Sequence, residues 1–395
     1  MTLPPSRQKS RQLLFSLVAV FLFFPMLEAA FRISGYQPRI HFRSYELPYW
    51  LTQFDPVVLD QYTKYVQGQG FVNEDVYYYS PDNTLGYVLK PGIRKTVKNY
   101  SASILAEKMP EWTIVSNDSG FRTGTDPVET GPGKSVKGTI HVLGDSSSFG
   151  WGVDYEKTYG YIFAKKINEA LAGKNIGYEL VNHSMPGFTS FQGMNLLERL
   201  DSIKPDDWVL VSFGWNDSYF SGTTDRKRLE NRMSWIGRVR AGLNSFLFYK
   251  WMQSFWVENR LYRAEWNLEE VGSRVSLSQY RKYLDVIFDE IQKRGSHPVF
   301  VNVCNYDDYP DTARSVAEKR SVPFFDFPEQ LMPLLGEAPI LFPEQFSTYF
   351  DVYGGLMEQD ESLVVLFPDG CHPNVIGHHL MGDIIFKTMK NEFGL

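Results

Sequence analysis

The sequence predicts an α/β protein built on a parallel sheet of five strands, with helices covering both faces. Three observations carry that expectation. From residue 137 onward, short apolar runs alternate with segments of helical spacing, the order that builds a doubly covered parallel sheet. The runs are apolar almost without a break, as strands buried on both faces read. The polar motifs that could carry chemistry follow these runs or lie on loops that can reach their ends, where open parallel sheets bind their ligands.

The first strand is Thr139–Leu143, an apolar run after Gly138 that stops at Gly144. Helical spacing follows over Thr158–Leu171, then a second strand over Tyr178–Asn182. A helix over Phe191–Ile203 ends before Lys204-Pro205, since a residue preceding proline leaves the helical region. Trp208–Phe213 is the third strand, and Leu277–Lys293 a helix stopped by Arg294-Gly295. Pro298–Val303 and Pro323–Phe327 are the fourth and fifth strands, flanking a helix over Thr312–Arg320. A C-terminal helix covers Asn374–Phe393.

Three regions lie outside this alternation. Residues 1–11 carry Arg7, Lys9 and Arg11 ahead of an apolar run, Leu13–Leu27, which Ala29–Phe31 extends past Glu28. A stretch of this kind over 12–31 reaches the roughly 17–25 residues of a spanning helix. Basic residues before it favour an inside N-terminus and a body outside the cytoplasm. A single-pass membrane anchor is the reading adopted; a cleaved signal, giving a secreted body, is the alternative. Residues 32–136, rich in Tyr, Pro, Gly and Asn, read as an irregular leader with short strands such as Trp112–Val115. Gly131–Ser135 is not a phosphate loop, because Val128 stands where the first glycine is needed. Residues 220–275 interrupt the domain 137–395 with Arg226, Arg228, Arg232, Arg238 and Arg240, and with Trp235, Phe246, Trp251, Trp256 and Trp266. They read either as a basic, aromatic lid facing a membrane or as a helical cap buried on the sheet.

The 395 residues carry a formal net charge of −6, which gives no sign of a nucleic-acid partner. Two cysteines, Cys304 and Cys371, exclude a disulfide scaffold and leave one bridge open. His372, His378 and His379 invite a metal reading, but the last two fall on the C-terminal helix, where packing or solvation accounts for them.

The first strand runs into Gly144-Asp145-Ser146-Ser147-Ser148-Phe149-Gly150. A serine after a buried strand can expose its hydroxyl at the sheet edge, but it needs a base to act as a nucleophile. The G-x-S-x-G elbow is absent. The base candidate lies in Pro368-Asp369-Gly370-Cys371-His372. At this spacing Asp369 can bond one imidazole nitrogen while the other points to Ser146. Gly187, after the second strand, can offer a bare backbone N–H, and Asn216, after the third, an amide. Taken singly, each of these residues is explained by a turn or a helix cap.

Taken in order, the four blocks resemble the SGNH (GDSL-type) hydrolase family, named for its Ser, Gly, Asn and His. Here these are Ser146 in GDSSSFGWGV, Gly187 in PGFTS, Asn216 in GWNDS and His372 in DGCHPNVIGHHL. The resemblance covers roughly residues 137–216 and 277–393. It implies a flavodoxin-like three-layer α/β/α fold and a Ser146, Asp369, His372 triad. It also implies an oxyanion hole from the N–H groups of Ser146 and Gly187 and the Asn216 amide, with no metal or cofactor. Leu85–Gly92 and Asn117–Arg122 look like the leader of bacterial membrane-anchored members. Ser147 and Ser148 depart from many relatives and add decoy hydroxyls. The expected function is an extracytoplasmic serine esterase acting on O-acetyl groups of an envelope glycan. A lipid esterase, an acyltransferase with the same triad and a catalytically silent envelope binding protein are the alternatives.

Overall fold

The computed structural model describes residues 5–36, 79–97, 111–125, 135–221, 223–252, 272–304, 306 and 308–395. The chain divides into two compact units. The smaller comprises Met1–Glu46, Val66–Glu74 and Glu230–Asn267, and the larger holds the remainder. Trp256 and Trp266 of the insertion, and most of Gly131–Ser135, lie outside the described residues.

In the smaller unit the basic start and the apolar run form one helix, α1 (Pro5–Ile33), with Pro25 inside it. Near its end Glu28 is buried and accepts hydrogen bonds from Arg32 Nε at 2.8 Å and the Phe248 N–H at 3.1 Å. The Phe24 and Phe248 rings lie 5.0 Å apart. The expected transmembrane helix at 12–31 is therefore corrected. Among the described residues no helix is long and apolar enough to cross a membrane. The apolar stretch of α1 is broken by Pro25 and by a carboxylate that bonds to protein groups, a costly group to place in hydrocarbon.

Among the described residues the larger unit opens with a hairpin, β1 (Tyr79–Asp82) and β2 (Gly86–Leu89). Three strands of the leader follow: β3 (Arg94–Val97), β4 (Trp112–Ser116) and β5 (Arg122–Thr123). The regular domain then runs through β6 (Ser135–Gly144), α2 (Ser146–Phe149), α3 (Tyr159–Ala170) and β7 (Ile176–Asn182). It continues with α4 (Ser190–Leu197), β8 (Trp208–Ser212) and α5 (Trp215–Ser218). At the insertion come β9 (Phe220–Ser221), the start of α6 (Asp225–Met233) and β10 (Gly272–Ser273), while α7 (Trp235–Leu243) belongs to the smaller unit. The chain closes through α8 (Leu277–Lys293), β11 (His297–Asn302), α9 (Tyr309–Lys319), β12 (Phe324–Asp326), α10 (Phe327–Leu331), α11 (Ala338–Leu341), α12 (Pro343–Met357) and α13 (Val375–Met389).

Among the described residues the main sheet has eight strands, in the order β12-β11-β8-β6-β7-β5-β4-β3. From β12 to β7 neighbours run parallel, with Phe300 opposite Phe324 and Val211, and Leu143 opposite Val211. At β7 the direction changes: β5, β4 and β3 add on antiparallel, Arg122 pairing with Asn182. The expected sheet of five parallel strands is thus corrected to an eight-stranded mixed sheet, in which those five strands form the parallel part. An unpaired β7 edge would present open backbone donors and acceptors, and the leader covers them. A two-residue strand such as β5 has too little length for an alternation to register.

Three layers result. Ile140, Val142 and Leu210 pack with Phe163, Ile167 and Ile385 of α3 and α13. On the opposite face Leu143, Val209, Val211 and Phe300 pack with Leu196, Leu284, Ile287 and Val316 of α4, α8 and α9. Consecutive residues of β8 alternate between these cores, which is why its sequence is apolar throughout. In the insertion, α7 buries none of its residues.

Arg122 of β5 ties the leader to this core. It is 1% exposed. Its guanidinium donates to the carbonyls of Phe149, Gly150 (2.7 Å) and Val153 (2.5 Å) and lies 4.3 Å over the Phe149 ring. Arg122→Met would leave these buried acceptors unpaired. A loss of about 3 kcal/mol is expected from the midpoint of urea unfolding, with the slope unchanged.

Candidate active site

Ser146 stands where β6 gives way to α2. Asp145 caps this four-residue helix, accepting the Ser147 N–H at 2.9 Å. Gly150 closes it in the left-handed region, φ 79°, with its N–H on the Ser146 carbonyl. So short a helix has little stability of its own, and caps hold it at both ends. The turn leaves Ser146 half-buried while Ser147, Ser148 and Phe149 are buried. The Ser148 hydroxyl bonds to Tyr159 Oη at 2.7 Å, and Ser147 Oγ lies 3.7 Å from the Cys371 sulfur. Both decoy hydroxyls therefore point into the core.

The Ser146 hydroxyl meets His372 Nε2 at 2.7 Å, across 226 positions of sequence. His372 Nδ1 donates to Asp369 Oδ2 at 2.8 Å. Asp369 Oδ1 accepts the N–H groups of Cys371 at 3.0 Å and His372 at 2.9 Å, so the carboxylate folds its own loop around the imidazole. Gly370 makes the turn at φ 72°, a conformation that favours glycine. A disulfide joins Cys371 to Cys304, just past β11, making the pairing that the sequence left open. Burial opposes a charge on His372. The charge and hydrogen bond of Asp369, with the charge of Asp145, outweigh it and hold the imidazole above its ordinary 6.5.

Asn216 lies in α5, and its amide donates to Asp145 Oδ2 at 3.3 Å. One carboxylate thus ties the residue before Ser146 to the Asn216 loop. Burial raises the Asp145 carboxyl above its ordinary value, against hydrogen bonds from Ser147 and Asn216 and the charge of His372. The Asn216 loop is also fixed from behind, where the Phe213 carbonyl accepts Tyr280 Oη at 2.6 Å and Tyr306 Oη at 3.1 Å.

Gly187 follows β7 at φ 77°. Its loop is joined to the end of β6 by the Met185 N–H on the Gly144 carbonyl, 3.0 Å. Four positions earlier, His183 is buried against His141, ring nitrogens 2.9 Å apart. His378 accepts the Tyr159 N–H at 3.2 Å, and burial lowers its pKa to about 3. His379 pairs with Asp383 at 3.7 Å.

The structure thus joins Ser146, His372 and Asp369 in one hydrogen-bonded line and brings Asn216 and Gly187 to the neighbouring strand ends. Such a line can pass a proton from Oγ to Nε2 as the oxygen attacks. Sequence reasoning missed Asp145, whose only signal was its place before the serine. It also missed Arg122, Tyr280 and Tyr306, which carry no spacing signal.

A model of the GDSL-like lipase/acylhydrolase family matches residues 142–380, more than half of the chain. Among solved structures the chain is similar to TesA, at 16% identity over 64% of this chain and 98% of that one, TM-score 0.37. It is also similar to the psychrotrophic esterase EstA from Pseudoalteromonas sp., at 16% identity over 66% and 100%, TM-score 0.35. A lipase/acylhydrolase from Enterococcus faecalis gives 16% identity over 65% and 96%, TM-score 0.35. No curated protein matches the chain.

The electrostatics make a prediction independent of any substrate. In an NMR titration of the imidazole resonances, His372 should take up its proton with a midpoint above 6.5, and Asp369→Asn should move that midpoint down.

Proposed function

The chain belongs to the GDSL-like lipase/acylhydrolase family and is an ester-hydrolysing enzyme; from that premise we propose that it is a serine esterase with Ser146, His372 and Asp369 as its triad, removing O-acetyl groups from a glycan of the cell envelope. One observation carries the reading of the chemistry: the line of hydrogen bonds at 2.7 and 2.8 Å from Ser146 through His372 to Asp369.

In the proposed mechanism Ser146 Oγ bonds to the ester carbonyl carbon as His372 Nε2 takes the hydroxyl proton. Asp369 holds the tautomer and stabilises the imidazolium. The carbonyl oxygen, now an oxyanion, is held by the N–H groups of Ser146 and Gly187 and by the Asn216 amide. As the tetrahedral intermediate collapses, His372 protonates the departing alcohol. Water, deprotonated by the same imidazole, then releases the acyl group and restores Ser146.

One observation supports the setting: the Cys304–Cys371 disulfide favours a compartment outside the reducing cytoplasm, where an envelope glycan is met. The lipase side of the family makes a lipid ester the second reading.

p-Nitrophenyl acetate and a long-chain homologue separate the two substrates, since preference for the long chain would remove the acetyl reading. Ser146→Ala should lower turnover by about a thousandfold or more, and Asn216→Ala by about a hundredfold. Full activity in Ser146→Ala would overturn the triad. The base acts only when neutral, so kcat/KM should rise with pH through a midpoint above 6.5 in the free enzyme.

A further inference from the structure

The Gly187 turn is gripped on both sides by groups outside the four family blocks. On one side Tyr87 of β2 donates its hydroxyl to the Pro186 carbonyl at 2.5 Å. On the other, Arg274 donates Nη1 to the Gly187 carbonyl at 2.9 Å. These carbonyls belong to the two peptide groups that meet at Gly187.

The first contact governs a donor of the proposed oxyanion hole. The Pro186 carbonyl and the Gly187 N–H share one peptide plane. Among the described residues no peptide is cis, so the two groups point in opposite directions. Fixing the carbonyl oxygen therefore fixes the direction of the N–H. A hydrogen bond on the carbonyl also polarises the peptide and strengthens its N–H as a donor. The fit is close: a Cβ at position 187 would come within 2.6 Å of Tyr87 Oη. Burial pushes the Tyr87 phenol up to about 12, so the hydroxyl keeps its proton at working pH.

The second contact has its own support. Arg274 pairs with Asp225 through Nη2 at 2.8 Å and Nε at 3.2 Å. Its Nη2 also reaches Gln192 Oε1 at 3.3 Å, and Asp225 in turn accepts the Thr189 hydroxyl at 2.9 Å. Arg274 follows β10 directly, and its N–H lies on the Tyr219 carbonyl at 2.9 Å. The strands β9 and β10 pair where the chain departs for the insertion and returns from it. The guanidinium at that neck thus holds the loop that carries the oxyanion donor.

We propose that Tyr87 and Arg274 are positioning residues for the Gly187 oxyanion donor, the one aiming its N–H and the other anchoring the loop to the neck of the insertion. The inference rests on the proposed role of Gly187. Because the donor acts on the developing oxyanion, loss of either grip should appear in kcat rather than KM.

The experiment is steady-state hydrolysis of p-nitrophenyl acetate by the full chain and by Tyr87→Phe, Arg274→Gln, Arg274→Lys and Ser146→Ala, with thermal midpoints in parallel. Tyr87→Phe keeps the ring and removes one hydrogen bond, so kcat should fall about five- to tenfold with KM within about twofold. Arg274→Gln should fall at least as far, and Arg274→Lys should recover part of the loss. Wild-type kcat in both Tyr87→Phe and Arg274→Gln overturns the inference, as does a loss confined to KM. If Arg274→Gln fails to fold, Tyr87→Phe decides alone. Turnover retained by Ser146→Ala would sink the underlying mechanism instead, so the two failures are distinguishable.

Discussion

The carboxylate of Asp145 is the interaction on which the rest of the site depends. It is buried at the end of β6, where a charge without partners would be costly. Its partners are the groups that a hydrolytic site has to align. Its Oδ1 caps α2 and so sets the turn that exposes Ser146. Its Oδ2 holds the Asn216 amide, leaving that amide's second N–H to point elsewhere. Its charge helps keep His372 basic. One buried group thus couples the position of Ser146, the orientation of the Asn216 amide and the basicity of His372, the proposed nucleophile, oxyanion donor and base.

Supports for this centre come from segments that the α/β core does not itself contain. A helix of four residues needs restraint at its far end too, and Arg122 provides it with donors to three carbonyls around Phe149–Val153. A cation at a helix C-terminus also suits the helix dipole. Tyr87 comes from the same leader and reaches the Gly187 turn. The leader therefore grips the Ser146 turn from β5 and the glycine loop from β2, and the pairing of β5 with β7 fixes the register of the Arg122 grip.

What was legible in the sequence follows from this division. The strands β6, β8 and β11 could be read because burial on both faces demands an unbroken apolar run, and β7 and β12 because their short apolar runs alternate with helical segments. Ser146, Gly187, Asn216 and His372 could be singled out as candidates because their four blocks stand in the order of the family they resemble. Arg122 could not, because a lone arginine in a polar leader reads as solvated until a partner is known. The pairing of β5 with β7 joins residues 122 and 182 through a two-residue strand, too brief for any period. The bond between Cys304 and Cys371 depends on a distance in space that spacing does not encode. The apolar run at 13–31 was legible as a helix but misread as a span, since the partners of Glu28 are set by the fold.

Order at His372 is established before any substrate arrives. The imidazole sits in a loop closed by Asp369, which accepts two backbone N–H groups and the ring N–H. The disulfide holds the adjoining residue to the end of the sheet. Pro373 follows His372, and Asn374 caps α13. Each restraint removes freedom that would otherwise be lost on reaching the transition state, so folding rather than binding supplies the alignment. The restraint nearest the base is also the one that depends on redox conditions. Reduction would free Cys371 beside the base, so the proposed oxidising location and the proposed chemistry form a single constraint.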